Sequence, residues 1–381
     1  MKSNLKIAIV HDFLTKIGGS EKLLQVVHEI YPDAPIYTLL YSKKGTNNIF
    51  EKSDYKIMPS YLNKYPDFLI RKPRLFLSKL PFAIESFDFS NYDIVISISN
   101  SFAHGVVTSP ATFHITYCNS PMRYIWDWYH EYLAENNIKF TIFGLIIRKI
   151  LHQVRIWDKI ASERSDFWMA NSDNVAKRIK KYYRQDSVTV YPPVEKPTAL
   201  KNNSSNQKYY LIISRLEPYK KIDIAIEAFN QNGYNLVVIG TGSEFGRLKK
   251  SAKANIKFLG WQNQSVVNKH LSNCRALIFP GEEDFGITPV EAMYCGKFVI
   301  ALNAGGVKET VINNKTGVLF NDGDPDSLNR AISTFENNYT KFNPQDAKNQ
   351  ADKFSKNKFI NDLKKTIETE YDHYQKKFNA Q

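Results

Sequence analysis

The chain has 381 residues and a formal net charge of +13, because 51 Lys and Arg outnumber 38 Asp and Glu. This length exceeds one compact core of ordinary size, so we expect two domains. Hydrophobic residues make up 43% and charged residues 23%, which excludes a disordered or fibrous protein. The positive charge favours anionic partners, but no zinc-finger spacing or RNP-like aromatic pattern accompanies it, so no nucleic-acid partner is expected.

The cysteines and the apolar stretches predict a cytoplasmic protein. Cys118, Cys274 and Cys295 are odd in number and contain no C-x-x-C pair, which argues against a zinc site or a disulfide framework. The apolar run near the N-terminus is too short for a signal peptide. The longest apolar stretch, 138–151, is shorter than the roughly 20 residues of a spanning helix and carries three basic residues.

A glycine pair follows the first predicted strand, at 5–10. The chain passes through a loop that ends in Gly18 and Gly19, and a helix is predicted from about Ser20 to Ile30. Glycine allows close backbone contact and a helix N-terminus favours negative charge, so this junction suits a phosphate. Because the G-x-G-x-x-G spacing is missing, a plain turn explains the pair equally well.

The rest of the first domain, 1–194, holds predicted strands at 92–97, 113–117, 167–172 and 187–191. Loops after such strands lie at the carboxyl edge of the sheet, where open α/β folds bind ligands. One of these loops contains Asn119, which can form hydrogen bonds but cannot act as a base. For His11 and His104, a structural role and a catalytic role both stay open.

Two segments of this domain, 71–90 and 138–160, are rich in Phe, Leu, Ile, Lys and Arg, with apolar residues at helical spacing. Basic amphipathic helices of this kind can lie on an anionic membrane. They can equally pack against the core and leave a basic side in water. The pattern does not decide between the two.

A stretch with Asn, Ser and Lys, 195–208, predicts a linker. The second domain, 209–356, alternates strands with helices, which predicts a second doubly wound sheet. A final charged helix is expected at 357–381. The predicted strands of the second domain are 210–214, 235–240, 256–259, 276–279 and 298–301.

Basic residues follow the first strand of the second domain. Arg215 and Lys220 can bracket a diphosphate, the arginine with its planar fork and the lysine as a point charge, and Lys221 could replace Lys220. Alternatively, they are solvated surface charges. Later loops, Gly240-Thr241-Gly242 and Gly260-Trp261-Gln262, also follow strands.

The sequence PGEEDFGITPVEAMYCG, residues 280–296, joins a strand to a helix. Thr288 is the predicted N-cap and Pro289 the first helical residue, and Gly296 suits the left-handed residue that ends the helix. The N–H groups of the helix start would face an anion, together with those of Phe285, Gly286 and Ile287. A plainer alternative is that Glu291 completes a capping box and Glu283 is a solvated loop charge.

The sequence Asp322-Gly323-Asp324 imitates a D-x-D metal motif. It lies in a turn before a helix predicted from Ser327, with Asp326 as the expected cap. We therefore assign it no metal role.

Glu283 and Glu291 lie eight positions apart with F-G-I between them. This E-x7-E pattern resembles the signature of the family 4 retaining glycosyltransferases. The resemblance covers about residues 6–335 and implies the GT-B fold, α/β with two Rossmann-like doubly wound domains facing a cleft. It further implies that Glu283 contacts the donor hexose, that Glu291 contacts the ribose, and that Phe285 to Thr288 hold the sugar and the distal phosphate. Arg215 and Lys220 would stabilise the leaving diphosphate, with no bound metal and no cofactor.

The sequence YCNSPMRYIWD, residues 117–127, resembles the YCHTPMRY-x-W-D segment of a subgroup associated with mannosyl transfer from GDP-mannose. Asn119 stands where that pattern has histidine. The resemblance also places Gly18 and Gly19 near the donor phosphate and the loop with Gln262 near the nucleobase. It implies hexose transfer to a saccharide or lipid-linked saccharide in polysaccharide or glycolipid synthesis, at the inner face of the cell membrane.

Two other classes of function stay open. A nucleotide-sugar epimerase of the same fold would need an additional acid/base set, and we see no carboxylate cluster for it. A noncatalytic anion-binding protein would use the charge of +13 alone, and its affinity would fall steeply with salt.

Overall fold

The computed structural model describes residues 5–51, 55–197 and 209–379. It divides into two compact units, Met1–Pro193 with Phe359–Gln381, and Val194–Lys358. Most of the predicted linker, 198–208, lies outside the described residues. Each unit is built around its own parallel sheet.

The first unit has a seven-stranded sheet in the order β3-β2-β1-β4-β5-β6-β7. All neighbouring strands are parallel. Its central strands are rich in Ile and Val and are largely buried on both faces, as expected for a parallel sheet covered by helices on both sides. The strands are β1 Ile7–Leu14, β2 Ile36–Tyr41, β3 Ile57–Pro59, β4 Ile94–Ser99, β5 Phe113–Cys118, β6 Phe167–Ala170 and β7 Val188–Thr189.

Helices cover both faces of this sheet and enclose two separate hydrophobic cores. One face is packed by α1 and the other by α3 and α5. The segment 71–90 contains only short helical pieces and not one amphipathic helix, whereas 138–160 contains the predicted long helix. The helices are α1 Gly19–Ile30, α2 Asp67–Ile70, α3 Leu80–Glu85, α4 Tyr129–Glu135, α5 Ile142–Ala161 and α6 Asp173–Tyr182.

The second unit has a six-stranded parallel sheet in the order β10-β9-β8-β11-β12-β13. Strands β8 and β11 are neighbours at its centre, so the loops that follow them meet at one edge. The strands are β8 Tyr210–Ile213, β9 Leu236–Ile239, β10 Ile256–Gly260, β11 Ala276–Phe279, β12 Phe298–Leu302 and β13 Gly317–Phe320. The helices are α7 Ile222–Asn232, α8 Phe245–Ser251, α9 Gln264–Asn273, α10 Ile287–Tyr294, α11 Val307–Thr310, α12 Pro325–Asn337 and α13 Pro344–Asp352.

The last helix, α14 Lys356–Asn379, leaves the second unit and packs on the first. Phe359, Leu363 and Ile367 recur every fourth residue, so they form one stripe on the helix. All three are buried in the same core as α1. The first unit is therefore completed by the end of the chain. None of the helices in the described part of the chain is long and apolar enough to span a bilayer.

The prediction that His11 and Asp12 lie in a loop is wrong, because strand β1 extends to Leu14. Asp12 is buried, and its carboxylate accepts hydrogen bonds from the backbone N–H groups of residues 100–103 at 2.5 to 3.0 Å. These bonds replace water for a buried charge and fix the loop after β4 against β1.

Candidate active site

The loops after β8 and β11 meet at the carboxyl edge of the second sheet. The β8 loop contains a short 3-10 helix, Pro218–Lys220, which presents Lys220 to the β11 loop. Gly281 makes the approach possible: a Cβ there would lie 2.7 Å from the Lys220 carbonyl oxygen, closer than real Cβ contacts. A small pocket at this point is lined by Ser214, Lys220, Phe279, Gly281 and Glu283, among others.

The structure brings Lys220 and Glu283 together as an ion pair. Lys220 is 9% exposed, so its ammonium is largely removed from water and needs a charged or polar partner. Its Nζ also lies 4.7 Å from the centroid of the Tyr219 ring. Glu283 therefore neutralises a buried cation.

Arg215 contacts the same tyrosine as Lys220, whereas Lys221 lies at the start of the next helix. Arg215 is exposed and donates a hydrogen bond to the Tyr219 hydroxyl. Lys221 is exposed, adopts a left-handed backbone conformation with φ +52°, and is the N-cap of α7. Tyr219 thus contacts both predicted diphosphate residues, a connection that sequence reasoning missed.

Helix α10 begins earlier than predicted. Its N-cap is Gly286 with φ +89°, and Ile287 is its first residue, so the prediction of Thr288 as N-cap and Pro289 as first helical residue is wrong. Glu291 then lies fifth in the helix, which removes it from the capping-box position at the third residue. The predicted helix end is confirmed, because Gly296 has φ +68° directly after the C-cap.

The β11 loop is fixed from its far side by two glycines. The N–H of Gly306 donates to the Glu283 carbonyl oxygen at 2.9 Å. A Cβ on Gly305 would lie 2.2 Å from the same oxygen, and φ there is +68°. Phe285 is buried with its ring centroid 5.4 Å from that of Phe354. The backbone that leads into the helix start is therefore held on both sides, and the first-turn N–H groups of α10 are suited to an anion.

The loops after β9 and β10 continue this edge. The Leu216 N–H donates to Thr241 at 2.9 Å, and the Gly240 N–H donates to Gly260 at 2.8 Å. The side-chain amide of Gln262 donates to the Leu259 carbonyl oxygen at 2.6 Å, so its NH₂ group stabilises its own loop. Trp261, which lies between Gly260 and Gln262 in the sequence, is 74% exposed.

In the first unit, Gly18 is the N-cap of α1 and Gly19 is its first residue, one position before the predicted start. The hydroxyl of the next residue, Ser20, forms hydrogen bonds with three side chains, and we call this group the Ser20 hub. Its Oγ receives the side-chain amides of Asn100 at 2.9 Å and Asn119 at 3.2 Å. The Ser20 hydroxyl also forms a hydrogen bond with Nε2 of His11 at 2.9 Å.

The histidines of this unit are held in structural networks. His11 is 1% exposed, and its Nδ1 has no hydrogen-bond partner among the described residues. His104 is buried between the Ser99 hydroxyl, at 3.1 Å, and the Asp158 carboxylate, at 3.3 Å. Burial lowers the pKa of His114 to about 3, so this ring is neutral at physiological pH. These geometries favour structural roles.

The aspartates of the D-x-D sequence have structural partners. Asp324, and not Asp326 as predicted, caps α12 by accepting the Ser327 N–H at 2.7 Å. Asp322 lies 3.7 Å from Arg330. Across the three described ranges, no group of three or more His, Cys, Asp or Glu side chains is arranged to hold a metal ion.

Residues 194–358 match the family model "Glycosyl transferases group 1". These are the residues of the second unit, including the Lys220–Glu283 pair and the start of α10. The match therefore falls on the unit that carries the candidate site.

Two curated relatives match at low identity. "Uncharacterized glycosyltransferase MJ1178" from Methanocaldococcus jannaschii is 27% identical over 56% of this chain and 62% of its own length. "Alpha-1,3/1,6-mannosyltransferase ALG2" from Dictyostelium discoideum is 28% identical over 47% of this chain and 54% of its own length. The chain thus spans somewhat more than half the length of these relatives.

A solved structure matches nearly the whole chain. The crystal structure of Anabaena HepE in complex with UDP superposes with a TM-score of 0.69 at 18% identity, covering 96% of this chain and 100% of that one. At this identity the likeness is one of fold. The second unit therefore matches the glycosyl transferases group 1 model, and the two doubly wound α/β units have the predicted GT-B fold.

Proposed function

We propose that the protein is a retaining glycosyltransferase that moves a hexose from a nucleoside diphosphate sugar to a saccharide or lipid-linked saccharide acceptor. The observation that carries the proposal is the buried Lys220 paired with Glu283 beside the N-terminus of α10, in the unit that matches the family model. A buried cation and a helix N-terminus together suit a diphosphate.

In this proposal Lys220 and Arg215 bind the diphosphate and stabilise the charge that develops on it as the hexose leaves. Glu283, released from Lys220 by the incoming phosphate, accepts hydrogen bonds from hexose hydroxyls. Glu291 holds the ribose, and the backbone from Phe285 to Thr288 donates to the distal phosphate. The charge stabilisation thus comes from the chain's own side chains and backbone, with no metal or cofactor assigned.

We propose GDP-mannose as the donor. Support comes from the segment YCNSPMRYIWD, residues 117–127, and from the relative named as a mannosyltransferase. The solved neighbour was crystallised with UDP, so the base needs a direct test. Asn119 keeps a hydrogen-bonding side chain where the resembled segment has histidine, and its amide is held by Ser20.

The acceptor and the place of action are part of the same proposal. We expect a saccharide or lipid-linked acceptor in polysaccharide or glycolipid synthesis, at the inner face of the cell membrane. Cys274 is a buried free cysteine, which fits a reducing compartment.

A ligand panel tests the donor. GDP, UDP, ADP and their sugars are compared by thermal shift, because a ligand at a hundred times its dissociation constant stabilises the folded state by about 2.7 kcal/mol. The best sugar donor is then incubated with acceptors, and NMR reports the anomeric configuration of the product. Stabilisation by guanine nucleotides and a product of retained configuration are expected.

The two alternatives give different results. An epimerase would convert the donor sugar without an acceptor. A noncatalytic anion-binding protein would ignore the sugar and base, and its affinity would fall steeply with salt. Either outcome would replace the transferase proposal.

A further inference from the structure

Large apolar side chains are exposed mainly on the first unit. Of eighteen exposed large apolar residues in the described part of the chain, fifteen belong to the first unit and three to the second. Twelve of the fifteen fall in two short segments, 58–82 and 140–160. These twelve are Met58, Tyr61, Phe68, Leu75, Phe82, Phe140, Ile142, Phe143, Leu145, Ile146, Ile156 and Ile160. Scattered apolar residues are normal on a surface, but such a concentration indicates an interaction site.

The most exposed members sit at the start of α5, where Ile142, Phe140 and Phe143 are 82%, 79% and 73% exposed. We call residues 139–146 the apolar turn. A helix that only packed against the core, with a basic side in water, would not place its largest apolar residues outward. The outward face of α5 is thus the arrangement that a lipid-facing helix requires.

Local contacts hold the backbone of the apolar turn in the conformation that exposes its side chains. The Thr141 hydroxyl caps α5 by accepting the Gly144 N–H at 3.2 Å. A Cβ on Gly144 would lie 1.8 Å from the Lys139 carbonyl oxygen, so only glycine allows this fold of the chain. Arg148 donates to the Ile138 carbonyl oxygen at 3.0 Å and lies 3.9 Å from the centroid of the Phe140 ring.

The two segments that carry the exposed apolar residues are also rich in cations. Residues 139–160 contain five Lys and Arg against one acidic residue, and residues 58–82 have the same ratio. Arg74 of the first segment donates to the side chain of Asn136, three residues before the second segment, at 3.2 Å. Their buried faces contribute to one common core. A protein interface would be depleted of lysine, whereas an anionic bilayer pairs lipophilic insertion with cationic contacts to phosphates.

We propose that the apolar turn and the exposed residues of 58–82 dock on an anionic lipid bilayer. Phe140, Ile142, Phe143 and Ile146 enter the boundary between headgroups and acyl chains, and the flanking Lys and Arg bind lipid phosphates. The inference rests on residues of the first unit alone and does not depend on the proposed transfer reaction.

Vesicle sedimentation tests this inference with the whole chain. Vesicles of phosphatidylcholine alone are compared with vesicles that also contain phosphatidylglycerol, at low and high salt. The double variant Phe143→Ser/Ile146→Ser should bind anionic vesicles about tenfold more weakly or worse, and tenfold corresponds to about 1.4 kcal/mol. The matched control Tyr234→Ser/Ile312→Ser removes exposed apolar residues from the second unit and should bind like the native chain.

Three results would overturn the proposal. The native chain does not sediment with anionic vesicles at low salt, or the double variant sediments as well as the native chain. Alternatively, light scattering shows a native dimer that the double variant converts to a monomer, which would make a second copy the occupant of the surface. Nucleotide binding and thermal unfolding of each variant are measured in parallel, so that loss of vesicle binding is separable from misfolding and from failure of the transferase proposal.

Discussion

Neutralising Glu283 should tighten the binding of a free nucleoside diphosphate while slowing hexose transfer. The Lys220 ammonium is paired with the Glu283 carboxylate. A diphosphate that binds Lys220 must displace this partner. Glu283→Gln removes the competing charge and keeps the shape of the side chain, so the ammonium becomes available to the ligand.

The burial of the two side chains sets the size of the effect. A hydrogen bond to a charged group contributes about 1.5 to 3 kcal/mol when it is well shielded. The Lys220 side chain is 11% exposed and the Glu283 side chain 28%, so solvent weakens the pair from the carboxylate side. We therefore expect a gain in diphosphate affinity of about 1 kcal/mol, or roughly fivefold.

Calorimetric titration with GDP and with guanosine measures this effect. Glu283→Gln should bind GDP more tightly and guanosine unchanged, and its turnover of the sugar donor should fall, because the hexose loses its carboxylate contact in the transition state. Lys220→Met should lose GDP affinity and keep guanosine affinity. Glu282→Gln is the matched control, since it removes the same charge one residue away.

Three outcomes would refute the reasoning. If Glu283→Gln weakened GDP binding as much as Lys220→Met does, the ion pair would be needed to shape the site. It would then not compete with the phosphate. If Glu282→Gln gave the same gain, the effect would be one of overall charge. Native donor turnover by Glu283→Gln would remove Glu283 from the site.

Three further predictions concern residues that hold loops or the core of the two units in place. Gly281→Ala puts a Cβ 2.7 Å from the Lys220 carbonyl oxygen, so diphosphate affinity should fall by about 1 to 3 kcal/mol in titration, with nucleoside affinity retained. Ser20→Ala frees two asparagine amides and should raise the donor KM in steady-state kinetics without changing GDP affinity; an unchanged KM would limit the hub to a structural role. Burial lowers the pKa of His114 from 6.5 to about 3, so the unfolded chain binds more protons in that range and stability falls as the pH drops below 6.5. His114→Gln should reduce this fall in urea unfolding measured at about pH 7 and about pH 5, by up to about 1.4 kcal/mol per pH unit, whereas exposed His152→Gln should not.

Much of the fold follows from the sequence because most strands are short apolar runs between turn residues. Strands β5 and β11, for example, lie within a residue or two of their predicted bounds. Strand β2, IYTLLY, is also a short, mostly apolar run, so the same criterion predicts it although it was not among the predicted strands. Strand β3 has only three residues and is largely exposed, and β13 begins with Gly317, which predicts a turn unless its neighbour is known.

The candidate site was predictable as a set of residues but not as an arrangement. The pairing of Lys220 with Glu283 depends on β8 lying next to β11, and the hydrophobic period of a strand does not specify its neighbour in the sheet. Gly281 was not predicted as a site residue, because its role is to let the backbone of another loop approach. Thr288 has the chemistry of an N-cap, but Gly286 turns the chain two residues earlier.

The route of α14 has a consequence for how the protein is made. The core of the first unit includes Phe359, Leu363 and Ile367, which are synthesised only after all of the second unit. Domains usually fold in the order in which they leave the ribosome. Here the second unit is continuous in sequence and can fold first, while the first unit waits for its last helix with part of its apolar core uncovered. A nascent chain stopped before residue 359 should therefore bind chaperones through its N-terminal half.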